Sequence, residues 1–219
     1  MQMSVVSEIF RTAAFCGVSL LLATGCNKKA DNTVNYTSAI NGYYASHPLC
    51  VFPESVKFPV QVSTSDASKT APYDALVDQN LLVRTSAEKK IIILSKQMNN
   101  YDLSDQGRQV WTADTSQPGY GNFCYGHRTV IRIDNASPTN SNPGATTQVI
   151  YHYTIADVPT WAMAAETKTA FPEVRSELSG PQAGNAALTN TSNGWQVSGV
   201  QDASGGHAPA TSADGKVVQ

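Results

Sequence analysis

Two histidines and two aspartates lie where their side chains could share chemistry. His127 and His152 fall on two predicted strands that we expect to pair as a hairpin, and Asp134 and Asp157 fall near the strand ends. Paired strands bring distant residues together, so the histidines could approach each other and a carboxylate. A metal site needs more convergent ligands than this, and solvated strand histidines are the simpler interpretation. We therefore predict neither a metal nor a cofactor.

The chain lacks the motifs that normally carry hydrolytic chemistry. Neither GxSxG nor HExxH occurs in it. Ser86-Ala87-Glu88-Lys89 resembles the serine and lysine motif of penicillin-binding enzymes, in which the serine opens a helix and the lysine lies one turn further along. Here the four residues fall at a predicted hairpin tip, and the companion motifs of that class are missing. A solvated turn is the better interpretation. We assign no catalytic residue and favour a protein that is not an enzyme, with a hydrolase as the alternative.

The first 26 residues indicate export. Residues 13–23 form an apolar run that is too short to span a bilayer, and small residues follow it before Cys26. Leu22-Ala23-Thr24-Gly25-Cys26 resembles the lipobox of bacterial lipoproteins, in which the cysteine is acylated and becomes the new N-terminus after cleavage. Ordinary secretion and an uncleaved anchor are the alternatives.

The lipobox resemblance implies a location and excludes a class of partner. Palmitoyl and other acyl chains on Cys26 would hold the protein on a lipid bilayer, since each buried methylene contributes about 0.8 kcal/mol. Asn27 resembles an outer-membrane sorting signal of Gram-negative lipoproteins. We therefore expect a protein of the cell envelope, anchored in the outer membrane and facing the periplasm. A formal charge of −2, together with export, argues against nucleic acid as a partner.

Two of the four cysteines are expected to form a disulfide. Cys16 lies in the signal segment and Cys26 carries lipid, which leaves Cys50 and Cys124. The oxidising envelope favours a bridge between them, and closing so long a loop could stabilise the fold by about 4 kcal/mol. A reactive thiol or a metal-binding pair is the alternative, but neither cysteine has a CxxC partner or a histidine at ligand spacing.

Residues 36–112 are predicted to form a first lobe that mixes helices with a hairpin. In chain order its elements are a helix (36–46), an edge strand (56–62), a polar loop (63–70), a helix (73–80), a hairpin (82–86 and 91–95) with a charged tip at 88–90, and a short helix that Ser104 caps and that ends at Trp111. The order over residues 73–111 resembles the second half of a winged-helix domain. That resemblance would imply DNA recognition, but the helix over 73–80 carries Asp74 and Asp78 and no basic residue.

Residues 121–200 are predicted to form a second lobe after a Gly/Pro-rich link. Its elements are a long hairpin (123–134 with 147–158), two short helices (159–164 and 171–180) and a final hairpin (186–189 with 195–197). Period-two alternation directs two sets of residues to one core, namely Phe123, Tyr125, Thr129, Ile131 and Ile133 on the first strand, and Val149, Tyr151, Tyr153 and Ile155 on the second.

These patterns predict an α+β fold, with a winged-helix-like N-terminal half packed on an antiparallel sheet. The predicted organisation is a signal peptide (1–25), a flexible tether (26–35), the two lobes (36–112 and 121–200) and a disordered tail (201–219). The tryptophans and tyrosines are interpreted as core or rim residues, and an aromatic ligand groove is the alternative. The candidate surface for a ligand or partner consists of Trp111, Tyr125, His127, His152 and Trp161.

Three classes of function fit this sequence. A non-catalytic envelope lipoprotein with a binding or scaffolding role predicts an aromatic or apolar groove. An inhibitor or immunity-type lipoprotein that masks an envelope enzyme predicts a flat patch of strongly binding residues. An envelope hydrolase, or a cofactor of one, predicts a pocket in which His127 or His152 meets a carboxylate or a hydroxyl. The missing catalytic motifs favour the first class, whose ligand or envelope partner the sequence does not specify.

Overall fold

A computed structural model describes residues 28–91 and 94–202. The predicted signal segment, the lipobox at Cys26 and most of the predicted tail lie outside these residues. The helices of the described part are α1 (Lys28–Ala45), α2 (Ala67–Asp78), α3 (Asp105–Val110), α4 (Thr160–Met163), α5 (Ala165–Ala170) and α6 (Pro172–Glu177). The strands are β1 (Leu49–Cys50), β2 (Val60–Ser63), β3 (Leu82–Ile91), β4 (Leu94–Leu103), β5 (Trp111–Ala113), β6 (Gly121–Ser137), β7 (Thr146–Ala156), β8 (Gln182–Thr191) and β9 (Gly194–Asp202).

The strands form two antiparallel sheets, and the α+β prediction is confirmed. The larger sheet has the order β1-β6-β7-β8-β9, with β5 also paired to β6. The smaller sheet has the order β2-β4-β3, so β2 lies at an edge, as predicted, although it begins at Val60, after Pro59, and not at residue 56. The long β6–β7 hairpin and the final β8–β9 hairpin are both present. No helix in the described ranges is long and apolar enough to cross a bilayer.

Helix α1 packs on the larger sheet through one apolar stripe. Tyr36, Ile40 and Tyr44 follow each other at four-residue spacing, and each is at most 4% exposed. They pack in one cluster with residues of β6, β7 and β8, including Val149 and Leu188. The helix begins at Lys28, so it extends over most of the segment that the sequence predicted as a tether.

Strand β6 corrects the predicted alternation of its core residues. Phe123 and Tyr125 are buried as expected, but Val130 is buried and Ile131 is 51% exposed. The buried positions shift because Gly126 has a φ of +134°, which favours glycine, and because the register with β7 slips between Val130 and Arg132. On β7 the predicted face is correct, since Val149, Tyr151 and Tyr153 are buried.

A second cluster joins both halves of the chain. It combines α2 and the β3–β4 hairpin with the start of β6 and with the short helices that follow β7. Its buried members are Val51, Leu76, Leu81, Leu82, Tyr101, Phe123, Tyr125, Trp161, Ala162, Phe171 and Val174. This cluster and the one beneath α1 both take residues from each side of the link between Trp111 and Gly121. Among the described residues, each hydrophobic cluster therefore contains residues of both predicted lobes.

The segment that resembles a winged helix differs in detail from its prediction. Helix α2 starts at Ala67, inside the predicted loop, because the Asp66 carboxylate accepts a hydrogen bond from the Ser68 N–H at 3.0 Å. The β3–β4 register runs from Leu82 opposite Leu103 to Ile91 opposite Leu94. Residues 88–90 therefore lie inside β3 and not at a hairpin tip, and residues 92 and 93 lie outside the described ranges. The cap of α3 is confirmed, since Ser104 Oγ accepts a hydrogen bond from the Gly107 N–H at 2.8 Å.

The Gly/Pro-rich link is an ordered turn that one carboxylate holds. Asp114 follows strand β5 and accepts hydrogen bonds from the Ser116 N–H and Oγ and from the Gln117 N–H. Ser55 Oγ donates to the same carboxylate at 2.7 Å and connects the turn to the segment before β2. The Ser116 and Ser55 hydroxyls and these backbone donors lower the pKa of Asp114 to about 2.

The predicted disulfide between Cys50 and Cys124 is present, with the two sulfurs 2.05 Å apart. The cysteines face each other across the paired strands β1 and β6. They are 74 residues apart in sequence, so the bridge closes a loop that contains α2, the smaller sheet and α3. The bridge therefore ties the first half of the chain to the strand that crosses both cores.

Removing the bridge is expected to destabilise the fold. The double variant Cys50→Ala/Cys124→Ala should lose about 2 to 4 kcal/mol in the free energy of unfolding, because the unfolded chain gains the entropy of an open loop. Urea unfolding followed by tryptophan fluorescence measures the loss. Native protein reduced with dithiothreitol is the control and should show a similar loss. The expectation would be contradicted if the double variant unfolded at the same urea concentration as the oxidised protein.

Candidate functional site

The structure gives each histidine its own carboxylate. His152 Nδ1 lies 2.6 Å from Asp134 Oδ2, and His127 Nδ1 lies 3.5 Å from Asp157 Oδ2. The strand register places His127 opposite Ala156 and His152 opposite Arg132. The two histidines therefore do not approach each other, although the sequence suggested that they could. No group of three or more His, Cys, Asp or Glu side chains that could hold a metal ion occurs in residues 28–91 and 94–202.

The His152–Asp134 pair lies beside a permanent cation. Arg132 Nη2 lies 3.2 Å from Nδ1 and 3.3 Å from Nε2 of the imidazole, so the guanidinium faces both ring nitrogens. Partial burial opposes ionisation of Asp134, but the hydrogen bonds from His152 and Arg132 outweigh it and lower the pKa of this carboxyl. The cluster is therefore an ion-pair network on the sheet surface.

The remaining candidates from the sequence lie in a strand or in the core. Ser86 and Lys89 are both within β3, opposite Asn99 and Lys96, and not on a helix. Tyr125 and Trp161 are 2% and 6% exposed, so neither presents a binding surface. Trp111 is half-buried, and its ring packs edge-on against Phe123 with 4.9 Å between ring centroids. These three aromatic residues pack in the second cluster, which joins both halves of the chain.

A buried ion pair that was not predicted from the sequence joins four elements of the fold. Arg128 on β6 donates to Glu177 at the end of α6 over 2.6 Å, and their side chains are only 7% and 15% exposed. Tyr153 on β7 donates its hydroxyl to the other oxygen of Glu177 at 3.2 Å. The guanidinium lies over the Tyr153 ring at 4.7 Å and over the Tyr44 ring at 5.4 Å. Strands β6 and β7, helix α1 and helix α6 therefore meet at one charge pair.

Further contacts position α1 on the sheet. The hydroxyls of Tyr44 and Tyr151 lie 2.7 Å apart, and Asn41 Oδ1 accepts the Val130 N–H at 2.8 Å beside the irregular part of β6. Gly184 leaves room for the Tyr151 ring, since a Cβ there would lie 2.6 Å from Tyr151 Cζ. Burial and the nearby Glu177 carboxylate raise the pKa of Tyr125, which keeps this phenol neutral. The network orients elements and contains no exposed reactive group.

A cleft in the described part of the chain lies between α1 and the β8–β9 hairpin. It has a volume of about 780 Å³ and is open to solvent. One wall is the exposed side of α1 and another is the start of β9, with the loop after β6 at one end. The residues that line it are Asn32, Asn35, Ser38, Ala39, Gly42, Tyr43, Ser141, Asn190, Asn193, Gly194, Trp195, Gln196 and Val197.

A strand turn at one end and hydrogen bonds to Ser141 at the other bound this cleft. The β8–β9 turn brings Asn193 and Trp195 to its rim, and Gly194 takes a φ of +94° to close the turn. At the other end, Asn190 Nδ2 donates to the Ser141 carbonyl at 2.8 Å, and Asn32 Nδ2 donates to Ser141 Oγ at 3.2 Å. A smaller cavity of about 360 Å³, which Asp134 helps to line, shares Asn32 and Ser141 with this cleft.

The cleft was not predicted, although the sequence carried one partial signal. An aromatic groove was an alternative interpretation of the tryptophans, and Trp195 does lie in this cleft. The facing residues Asn35 and Tyr43 come from a helix about 150 residues earlier in the chain. No local pattern indicates that these segments meet.

Comparison with known proteins gives no relative, since no protein-family model, curated protein or solved structure matches this chain. The residues themselves must therefore carry any functional argument.

The buried ion pair gives a testable stability prediction. Arg128→Met should lower the free energy of unfolding by about 3 to 5 kcal/mol, because it leaves the Glu177 carboxylate buried without its cation. The double variant Arg128→Met/Glu177→Leu should lose less than this single variant, since no lone charge remains. Urea unfolding of the three proteins measures both effects.

The control for this prediction is an exposed ion pair. Lys69→Met removes the contact of Lys69 Nζ with Asp66 at 3.7 Å on the surface of α2, and it should leave the unfolding midpoint unchanged. A loss for Arg128→Met as small as that for Lys69→Met would show that the buried pair does not organise the junction.

Proposed function

We propose that this chain is an exported, lipid-anchored protein of the cell envelope that binds a ligand or partner without chemically changing it. The observation that carries the proposal is the cleft between α1 and the β8–β9 hairpin, which combines aromatic and amide side chains in a concave surface. A cleft of this kind is what a binding lipoprotein requires. The described residues of its walls include no histidine, carboxylate, lysine or cysteine that could act as a base or an activated nucleophile.

Support for export comes from the sequence, and the disulfide agrees with it. The segment before Cys26 resembles a lipoprotein signal, and a bridge such as Cys50–Cys124 persists in oxidising compartments. An anchor at Cys26 would lie two residues before the start of α1 at Lys28. The helix that forms one wall of the cleft would then start close to the membrane surface.

Lipid attachment is tested by metabolic labelling. Cells that express the full chain and grow with labelled palmitate should produce a labelled, membrane-bound protein, and Cys26→Ala should abolish the label because it removes the acylated thiol. Cys16→Ala is the matched control and should keep the label. An unlabelled, uncleaved chain in the cytosol with Cys50 and Cys124 reduced would overturn the proposed location.

Binding at the cleft is tested by site-specific crosslinking in intact cells. A photoreactive residue in place of Asn193 should form a defined adduct on irradiation, because this position lies at the cleft rim. The same residue in place of Gln148, on the exposed face of the same sheet, should form none. Immunoblotting and mass spectrometry of the purified protein detect the adduct.

A second variant separates binding from catalysis. His127→Ala/His152→Ala should leave the Asn193 adduct unchanged, because neither histidine lines the cleft. Equal adducts at positions 193 and 148, or none at either, would contradict a binding role for the cleft. An adduct that disappears in the double-histidine variant, with the fold intact, would instead favour a hydrolase.

A further inference from the structure

We infer that the cleft between α1 and the β8–β9 hairpin binds a short, uncharged oligosaccharide. This inference rests on the proposed binding function and adds the chemical class of the ligand. It follows from the charge, the hydrogen-bonding groups and the aromatic rings of the cleft walls.

The walls favour uncharged ligands. None of the described residues that line the cleft is Asp, Glu, Lys, Arg or His. A carboxylate, phosphate or ammonium group that gave up part of its hydration there would gain no opposite charge from these side chains, which is unfavourable. The ligand therefore carries no net charge where it meets these walls.

The hydrogen-bonding groups of the cleft suit hydroxyls. Side-chain amides both donate and accept, as a sugar hydroxyl does, and five of the lining residues are Asn or Gln. Two of these amides, on Asn32 and Asn190, already bind Ser141. The amides of Asn35, Asn193 and Gln196 form no side-chain hydrogen bond within the described part of the chain. Asn35 on the helix and Asn193 on the turn therefore offer groups for a ligand on two walls.

Two aromatic rings complete the pattern. Trp195 lies on the strand wall and is held edge-on by Tyr36, with 4.9 Å between ring centroids. Tyr43 lies on the helix wall and is stacked on His47 with centroids 4.0 Å apart. Rings fixed by neighbours lose little conformational entropy on binding. Each can contact the C–H face of a sugar ring while the amides bind the hydroxyls at its edge. The volume of the cleft, about 780 Å³, lies in the usual range for ligand sites.

The test is binding of defined sugars to the purified full chain in a detergent without a sugar head group. The panel contains neutral oligomers of glucose, mannose and N-acetylglucosamine, with cationic glucosamine and anionic uronic acid oligomers of matched length. Isothermal titration calorimetry measures affinity, and Trp195 contributes a change in fluorescence. At least one neutral oligomer should bind more than tenfold more tightly than its charged counterparts.

Variants assign the binding to the cleft. Asn35→Ala/Asn193→Ala changes two exposed residues and should weaken binding at least tenfold without altering the unfolding midpoint. Trp195→Ala should abolish binding. If loss of the contact with Tyr36 disturbs folding of this variant, Asn35→Ala/Asn193→Ala provides the test. Gln148→Ala/Gln201→Ala removes two exposed amides outside the cleft and should bind like the unaltered protein.

Two results would overturn the inference. One is that no neutral oligomer binds at millimolar concentration, and the other is that the Asn35→Ala/Asn193→Ala variant binds with unchanged affinity. If either occurs while the Asn193 crosslink still forms in cells, the binding function stands and only the carbohydrate class is rejected. If the crosslink also fails, the proposed function falls with it.

Discussion

Strand β6 has to bury side chains in two different cores, and the rest of the molecule depends on how it does so. Phe123 and Tyr125 pack with α2 and the β3–β4 hairpin, whereas Val130 packs beneath α1. A regular strand would keep one alternation throughout its length. Gly126 in its left-handed conformation, followed by two slips of register with β7, moves the buried positions where the strand passes from one core to the other.

The junction created by this strand is also where the buried charges meet. Arg128 follows the glycine by two residues and pairs with Glu177, between the rings of Tyr44 and Tyr153. A buried ion pair contributes little net stability, but its geometry is demanding. It joins helix α1 and helix α6 to the sheet at one point. Because α1 is one wall of the cleft, the width of the cleft follows from how this junction positions the helix.

Much of the local structure could be predicted from residue types at fixed spacings. Ser104 caps α3, the two long hairpins occur near their expected positions, and Cys50 pairs with Cys124. The errors have physical causes. Ile131 is exposed because irregularities in β6 reverse the alternation, and residues 88–90 lie inside a strand because the β3–β4 ladder continues to Ile91. Periodicity in a sequence carries no information on where a ladder slips.

The sequence by itself determined the class of fold, the cysteine pairing and most helices and strands, and it carries a resemblance to an export signal. These depend on short-range chemistry or on elimination among few cysteines. Only the tertiary structure decided that the two histidines bind separate aspartates, that Tyr125 and Trp161 belong to the core, and that Asn35 faces Trp195 across a cleft. The reason is that helix α1 packs on strands more than 80 residues later, and burial there depends on the packing of whole elements.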